Sequence, residues 1–177
     1  MGKIIISKPV KLICGLISND EALFLSAKRS LENKFGPVDF ESERLKFDCT
    51  DYYTEELGKD LRRVFLSFKK LFDPSKLSRV KIYSNKIERL LSYGANRRIN
   101  IDPGYLDLAK LVLASTKDFS HRIYLERGIY SEITLIFKNG GFQFLEWTYP
   151  DYRSVDYIQI FTRIRSIYSA QIKDLSS

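Results

Sequence analysis

The chain contains few cysteines, one histidine and no long apolar run, and each shortage excludes a class of protein. Its 177 residues include two cysteines, Cys14 and Cys49, which lie far apart and outside any CxxC or Cys/His spacing typical of zinc sites. With no disulfide framework and no signal peptide, the sequence predicts a reduced, cytoplasmic protein. Apolar runs of only a few residues predict no membrane span.

The sequence also has none of the common signature motifs for nucleotide binding or hydrolysis. The missing motifs are GxGxxG, GxxxxGK[ST], HExxH, GxSxG and those of protein kinases. Their absence disfavours a Rossmann dehydrogenase, a P-loop NTPase and a zinc hydrolase. The formal net charge is +7, but no run of five like charges occurs, so a mildly basic surface is favoured over a dense nucleic-acid-binding stripe.

What remains is ordinary globular composition, with 44% hydrophobic and 29% charged residues. A chain of this length is typical of one domain, predicted here to span residues 1–177, and it can bury roughly 70% of its unfolded surface.

Apolar periodicity predicts the elements of the first half. Residues 10–18 form an apolar run typical of a buried strand, and the spacing over 23–35 predicts a helix that ends at Gly36-Pro37. Alternation over 45–50 predicts a half-buried strand. The stripe over 57–71 predicts a second helix, which begins at Thr54 and ends at Asp73-Pro74.

The second half has a different pattern. Residues 79–91 fit either a strand or a helix, 97–102 alternate as a strand, and Pro103-Gly104 predicts a turn before a helix over 106–113. From residue 121 onward the sequence predicts a meander of three strands, with a hairpin at Asn139-Gly140-Gly141. An amphipathic helix is predicted over 157–172.

Strands of this kind with three amphipathic helices predict an α+β fold. We expect a mainly antiparallel sheet, with the first, second and C-terminal helices packed on one face. The other face would then carry the polar side chains of the alternating strands.

That polar face is rich in groups that can bind an anion, because arginine offers two parallel donors to a phosphate or carboxylate. The alternative, which these patterns favour, is a solvated face with cross-strand ion pairs. The polar side chains come from three stretches: Lys46, Asp48 and Thr50; Arg98, Asn100 and Asp102; and Arg122, Tyr124, Glu132 and Thr134.

Residues 115–122 hold the densest mixture of reactive groups, including Lys117 and the single histidine, His121. His121 is the candidate general acid or base, although a hydrogen-bonded structural histidine is the more frequent case. Asp48 and Asp102 are candidates for Mg²⁺ bound together with a phosphate, or for orienting a water. Capping or turn chemistry is the favoured alternative for Asp48 and its neighbour Asp51.

Long stretches of the chain resemble the DUF4416 family, small bacterial and archaeal proteins without an assigned activity. The matching stretches are KPVKLICGLIS, FGPVDFESE, FDCTDYYTEELG, RRINIDPGYLDLAKLVLASTKDFSHRIYLERGIYSEITL and WTYPDYR. The resemblance covers nearly the whole chain. It implies size, single-domain organisation and a cytosolic setting, and it transfers no catalytic or binding residue.

The leading hypothesis is that the polar face binds a small phosphate-bearing ligand, such as a nucleotide or a phosphorylated metabolite. Mg²⁺ is a possible accompanying ion. The predicted ligand-binding residues are Arg98, Asn100, Asp102, Lys117, Arg122, Tyr124 and Glu132. The alternative is a non-enzymatic module that binds RNA or a protein through a basic, tyrosine-rich surface. A concave pocket where Arg98, Asp102, His121 and Arg122 converge would favour the first, and a broad, flat positive patch would favour RNA.

Overall fold

A computed structural model describes residues 2–48, 54–94 and 96–175. Within them, nine antiparallel strands form one sheet accompanied by helices, which confirms the predicted α+β class. The strands are β1 (Lys11–Ser18), β2 (Val38–Glu41), β3 (Leu45–Lys46), β4 (Arg62–Phe68), β5 (Asn100–Leu106), β6 (Lys110–Ser115), β7 (Ile123–Glu126), β8 (Ile129–Lys138) and β9 (Gly141–Phe144). The helices are α1 (Glu21–Phe35), the single turn α2 (Thr54–Leu57), α3 (Leu77–Leu90) and α4 (Val155–Asp174).

The strand order is β2-β4-β1-β5-β6-β8-β7. Strand β3 pairs with β4 beside β2, and β9 pairs with β8 beside β7. Strand β1 therefore lies inside the sheet, between β4 and β5. Among the described helices, none has the length and apolar character that a membrane crossing requires.

The helices lie on both faces of the sheet, which corrects the prediction that they share one face. Leu12, Cys14 and Leu16 of β1 belong to the core that α1 and α3 cover. Ile13 points the other way, into the core that contains Phe161 of α4. A strand covered on both faces is apolar on both faces, and all eight residues of β1 are buried.

The predicted second helix over 54–71 is wrong for most of its length. The structure has one helical turn, α2, followed by the strand β4, in which six of seven residues are buried. Leu66 and Phe68 face the core under α1 and α3, whereas Phe65 faces α4. The apolar positions fit a helical stripe, but the segment is a strand because it pairs with β1 on one side and with β2 and β3 on the other.

The predicted turn at Pro103-Gly104 and the helix over 106–113 are also wrong. Both residues lie inside β5, and the chain instead turns at Asp107, whose Oδ1 accepts the N–H groups of Ala109 and Lys110 at 2.7 and 2.8 Å. The ambiguous segment over 79–91 is helical, as α3.

Other local predictions are confirmed. Helix α1 begins after Asp20, whose carboxylate accepts the Ala22 N–H, and ends at Gly36, with φ 93°. The 139–141 hairpin forms, with positive φ at Asn139 and Gly140. Strands β7 to β9 and helix α4 form where the meander and the last amphipathic stripe predict them.

One irregularity in the sheet positions the candidate site. Strand β5 pairs with β1 over residues 100–106 but with β6 only over 104–106. Strand β6 continues to Ser115 along β8, so residues 100–103 and 114–115 have separated. Gly104 is the first residue of β5 that pairs with β6, and a Cβ at this position would lie 2.3 Å from the Val112 carbonyl oxygen. Pro103, which has no N–H to donate, lies where the pairing stops.

Candidate functional site

A cavity of about 540 Å³ lies where β5 and β6 separate. Its walls come from both faces of the sheet, since α3 contributes on one side and residues 149–152 contribute on the other. Cavities of ~300–1,000 Å³ are typical of small-molecule sites. Its polar and charged lining comprises Arg63, Lys81, Asn85, Glu88, Arg97, Asn100, Asp102, Ser115, Thr116, Lys117, Arg122, Glu132, Tyr149, Asp151 and Tyr152.

This lining concentrates charge of both signs, with five cationic and four anionic side chains among the described residues. The cations are Arg63, Lys81, Arg97, Lys117 and Arg122, and the carboxylates are Glu88, Asp102, Glu132 and Asp151. They come from separate parts of the chain, so only the folded sheet brings them together. A cavity with convergent polar groups is the usual form of a ligand site.

Arg63 of β4 is the most deeply placed cation, with a side chain only 3% exposed. Its Nη1 lies 3.2 Å from the Tyr152 hydroxyl and 3.8 Å from Asp102 Oδ2, and its Nη2 lies 3.4 Å from Asp151 Oδ2. The guanidinium also packs over the ring of Phe47 at 5.0 Å. Its Nε has no hydrogen-bond partner among the described residues. A buried donor without a partner is costly, and such groups are rare in folded proteins.

The position of Arg63 depends on Gly15, in the neighbouring strand β1. A Cβ at Gly15 would lie 2.8 Å from Arg63 Nη1 and 3.1 Å from the Phe65 ring. The missing side chain therefore makes the space that the guanidinium occupies.

Asp102 of β5 contributes a carboxylate to the cavity. Its Oδ2 accepts a hydrogen bond from Asn100 Nδ2 at 2.7 Å, and its Oδ1 lies 3.5 Å from Lys81 Nζ. Lys81 reaches from α3 and donates to the Ile101 carbonyl at 3.0 Å. The side chain of one helix residue thus fixes the separated end of β5.

Glu88, seven residues after Lys81 on α3, fixes the same strand. Its Oε1 accepts the Ile101 N–H at 2.5 Å, and its Oε2 lies 3.3 Å from Arg97 Nη1. Arg97 also bonds Glu56 at 2.5 and 2.8 Å and Asn100 Oδ1 at 2.9 Å. Burial raises the pKa of Glu88, and the cations Lys81 and Arg97 oppose that rise only in part.

The opposite end of the cavity is held by Glu132 of β8. Its Oε2 accepts a hydrogen bond from Arg122 Nε at 2.7 Å and lies 3.2 Å from His121 Nε2. Arg122 also donates to the Tyr149 hydroxyl at 2.6 Å and to the Lys117 carbonyl at 3.0 Å. Burial raises the pKa of Tyr149, so this hydroxyl stays protonated at neutral pH.

The ion pairs at the centre of the cavity are long. The nitrogen–oxygen distance is 3.3–3.8 Å in four pairs: Arg63–Asp102, Arg63–Asp151, Lys81–Asp102 and Arg97–Glu88. Charge-assisted hydrogen bonds are usually ~2.7–2.9 Å, and the Arg122–Glu132 pair at the opposite end of the cavity has that length. The central charges are therefore close enough to compensate one another. Arg97 is fully engaged by Glu56, Asn100 and Glu88, whereas the Nε of Arg63 has no partner among the described residues.

The structure brings together five of the residues predicted to bind a ligand. Asn100, Asp102, Lys117, Arg122 and Glu132 all line the cavity. They do so at a gap in the sheet, with helices on both faces, and not on an open polar face.

Four other predicted site residues lie outside the lining. Arg98 is half exposed and pairs with Asp20 at the start of α1, 2.7 Å away. Tyr124 is exposed on β7, with its ring against Tyr130. His121 reaches the cavity only through its contact with Glu132, and the cavity lacks the predicted convergence of Arg98 and His121 with Asp102 and Arg122. The fourth, Asp48, is exposed and bonds Lys46 Nζ at 2.6 Å.

The predicted metal pair of Asp48 and Asp102 is not assembled around the cavity, because Asp102 lines it and Asp48 does not. Within residues 2–48, 54–94 and 96–175, no three His, Cys, Asp or Glu side chains are grouped so that they could hold a metal ion. Asp51 and Cys49 lie outside the described residues. Cys14 is a buried free thiol whose pKa is raised by burial.

Sequence reasoning missed the deepest charged residues of the cavity. The predicted second helix contains Arg63, the ambiguous segment over 79–91 contains Lys81 and Glu88, and Asp151 lies outside every predicted element. The available signal was the run RRVFLSF, in which a basic pair begins a short apolar segment. As a buried strand, this run places one of the two arginines inside the protein, where it needs carboxylate partners.

Comparison with known proteins supports a family assignment and nothing finer. No curated protein and no solved structure matches the chain significantly. The family model described as "Domain of unknown function (DUF4416)" matches residues 8–168. This range contains all the residues that line the cavity. The chain belongs to the DUF4416 family.

Proposed function

We propose that the cavity between β5 and β6 binds a small phosphate-bearing ligand. The observation that carries the proposal is the convergence of five cations on one cavity, with the buried Arg63 only loosely paired. Four central ion pairs are 3.3–3.8 Å long, and the buried Nε of Arg63 has no acceptor among the described residues. A phosphate has several acceptor oxygens and suits arginine and lysine donors.

The lining also supplies groups for the rest of such a ligand. Lys117 is an exposed cation that can attract the anion, and Arg122 and Arg63 offer buried guanidinium groups. Asn85, Ser115 and Thr116 can donate to and accept from hydroxyl groups. Since the carboxylates in the cavity already contact cations, we expect any Mg²⁺ to arrive with the phosphate and to meet Asp102 at most.

The alternative, a non-enzymatic module for RNA or protein, is favoured by a different observation. Large apolar side chains are exposed around β7, including Phe119, Ile123, Tyr124 and Phe144. Exposed aromatic residues are frequent on surfaces that bind a partner. Either function fits the cytoplasmic location that we propose from the cysteine content.

A thermal-shift titration tests the proposal. Inorganic phosphate, ribose 5-phosphate and nucleotides are added with and without Mg²⁺ to the unmodified protein, to Lys117→Ala and to Arg98→Ala. A ligand at ~100 times its Kd stabilises the fold by ~2.7 kcal/mol, which at ~2–4 °C per kcal/mol raises Tm by roughly 5–11 °C.

Lys117→Ala removes an exposed cation that lines the cavity, and Arg98→Ala is its matched control, because Arg98 is an exposed cation outside it. We expect the shift in the unmodified protein and in Arg98→Ala, and a reduced shift in Lys117→Ala. If no phosphate compound shifts Tm, or if both variants lose the shift equally, the proposal is wrong. Binding only to RNA, weakening steeply with salt, would support the alternative.

A further inference from the structure

A stack of two aromatic rings lies directly beside the cavity. Trp147 and His121 are parallel, with an interplanar angle of 7° and ring centroids 5.2 Å apart. Phe119 meets the His121 ring at 5.3 Å and is 64% exposed. Trp147 keeps 39% of its surface exposed although it is the largest side chain type in proteins. The stack therefore presents aromatic surface to solvent.

The stack is held rigidly. Trp147 Nε1 donates to the Ile133 carbonyl of β8 at 2.8 Å, and His121 Nε2 lies 3.2 Å from Glu132 Oε2 in the same strand. Both rings are thus fixed by consecutive residues of one long strand. Aromatic side chains held in this way bind a planar partner at little cost in conformational entropy.

Glu132 connects the stack to the cavity. The carboxylate oxygen that faces His121 also accepts the Arg122 Nε hydrogen bond, and Arg122, Glu132 and Tyr149 all line the cavity. Tyr149 follows Trp147 by two residues. One carboxylate therefore joins the aromatic stack to a cation of the cavity.

We infer that the ligand is a nucleotide, whose base stacks on the exposed surface of Trp147 and Phe119 while its phosphate lies among the cations of the cavity. This inference rests on the proposed function. A purely apolar ligand would not use Arg122 and Lys117, and a sugar phosphate would leave the aromatic surface uncovered. Every nucleobase has a flat π face, so the stack selects the class of ligand and not one particular base.

Trp147 is the only tryptophan of the chain and reports on stacking directly through its fluorescence. Adenosine 5′-monophosphate, uridine 5′-monophosphate, ribose 5-phosphate and adenosine are titrated into the unmodified protein by fluorescence and by calorimetry. We expect both nucleotides to quench Trp147 and to bind about 5- to 140-fold more tightly than ribose 5-phosphate, which corresponds to ~1–3 kcal/mol for one stacked base. Ribose 5-phosphate should bind without quenching.

Two variants complete the test, each with its unliganded Tm as a check on folding. Trp147→Leu should reduce the affinity for the nucleotides to that for ribose 5-phosphate and leave the latter unchanged. Tyr124→Leu is the matched control, because Tyr124 is exposed at the same edge of the sheet and its described ring contact is to Tyr130. It should change neither affinity.

The outcomes separate this inference from the proposed function. Equal binding of nucleotides and ribose 5-phosphate without quenching overturns the stacking but leaves the phosphate site. Failure of every phosphate compound to bind overturns both. Adenosine as tight as its monophosphate overturns the combined site, and binding of oligonucleotides only overturns the single-nucleotide ligand.

Discussion

Replacement of Arg63 by methionine is the most informative single change, because this residue links the core to the cavity. Arg63 is 3% exposed and lies 3.4 Å from Asp151 and 3.8 Å from Asp102. Methionine fills a similar volume without the charge, so the two carboxylates are left without their buried cation. Removing one partner of a buried ion pair usually costs about 3–5 kcal/mol.

That loss is expected to lower Tm by roughly 6–20 °C, at ~2–4 °C per kcal/mol for a chain of this size. Urea denaturation at pH 7 measures the free energy of unfolding. Arg62→Met is the control, since Arg62 is the adjacent, exposed residue of the same strand. Surface substitutions usually change stability by less than ~0.5 kcal/mol.

The loss in Arg63→Met also depends on pH. Burial raises the pKa of Asp151 in the folded protein, and Arg63 opposes that rise, so the variant raises it further. A carboxyl with a raised folded pKa contributes stability that is fully present below its unfolded pKa and is lost as pH rises through the folded pKa. The difference between the variant and the unmodified protein should therefore shrink from pH 7 to pH 4. A difference below ~1 kcal/mol at pH 7, or one independent of pH, refutes the reasoning.

Three further changes test the fold around the site. Gly104→Ala puts a Cβ 2.3 Å from the Val112 carbonyl, so we expect a loss of ~1–3 kcal/mol in urea denaturation, and an unchanged midpoint would contradict the close approach. Glu88→Gln removes a buried carboxyl of raised pKa, so stability should fall less steeply as pH rises above about 4.3, the usual unfolded value, and an unaltered slope would count against burial. Asp20→Ala removes the N-cap of α1, and thermal unfolding should show a loss of ~0.5–2 kcal/mol; no loss would mean that the cap is dispensable.

Helix caps and tight turns can be predicted from the sequence, because they depend only on neighbouring residues. The Asp20 cap and Gly36 delimit α1, and Asn139-Gly140 makes the hairpin. These features need no knowledge of the rest of the chain. The α+β class follows from them together with the alternating strands.

Features that depend on distant pairing are not predicted. The 62–68 segment has apolar residues at helical spacing, yet it is the strand β4, because β1 lies on one side of it and β2 on the other. Pro103-Gly104 has the composition of a turn, yet it lies inside β5. In both cases hydrogen bonds to remote strands decide the conformation.

The residues of the candidate site show the same difference between local and distant determinants. Asn100, Asp102, Arg122 and Glu132 could be predicted from the polar positions of alternating strands, and Lys117 from the mixture of reactive groups over residues 115–122. The cations and carboxylates from β4, α3 and residues 149–152 could not, since their elements were misassigned or left open. Arg98 lies ahead of β5 and outside the strand, and it pairs with Asp20 at the start of α1 instead of lining the cavity.

A crystal structure with ribose 5-phosphate at saturating concentration tests the central claim most directly. The account predicts the phosphate between residues 100–103 of β5 and residues 114–117, at and just beyond the end of β6, within hydrogen-bonding distance of Arg63, Lys117 or Arg122. Electron density for the compound only at another site, or no density for it in the cavity at a saturating concentration, would contradict the account.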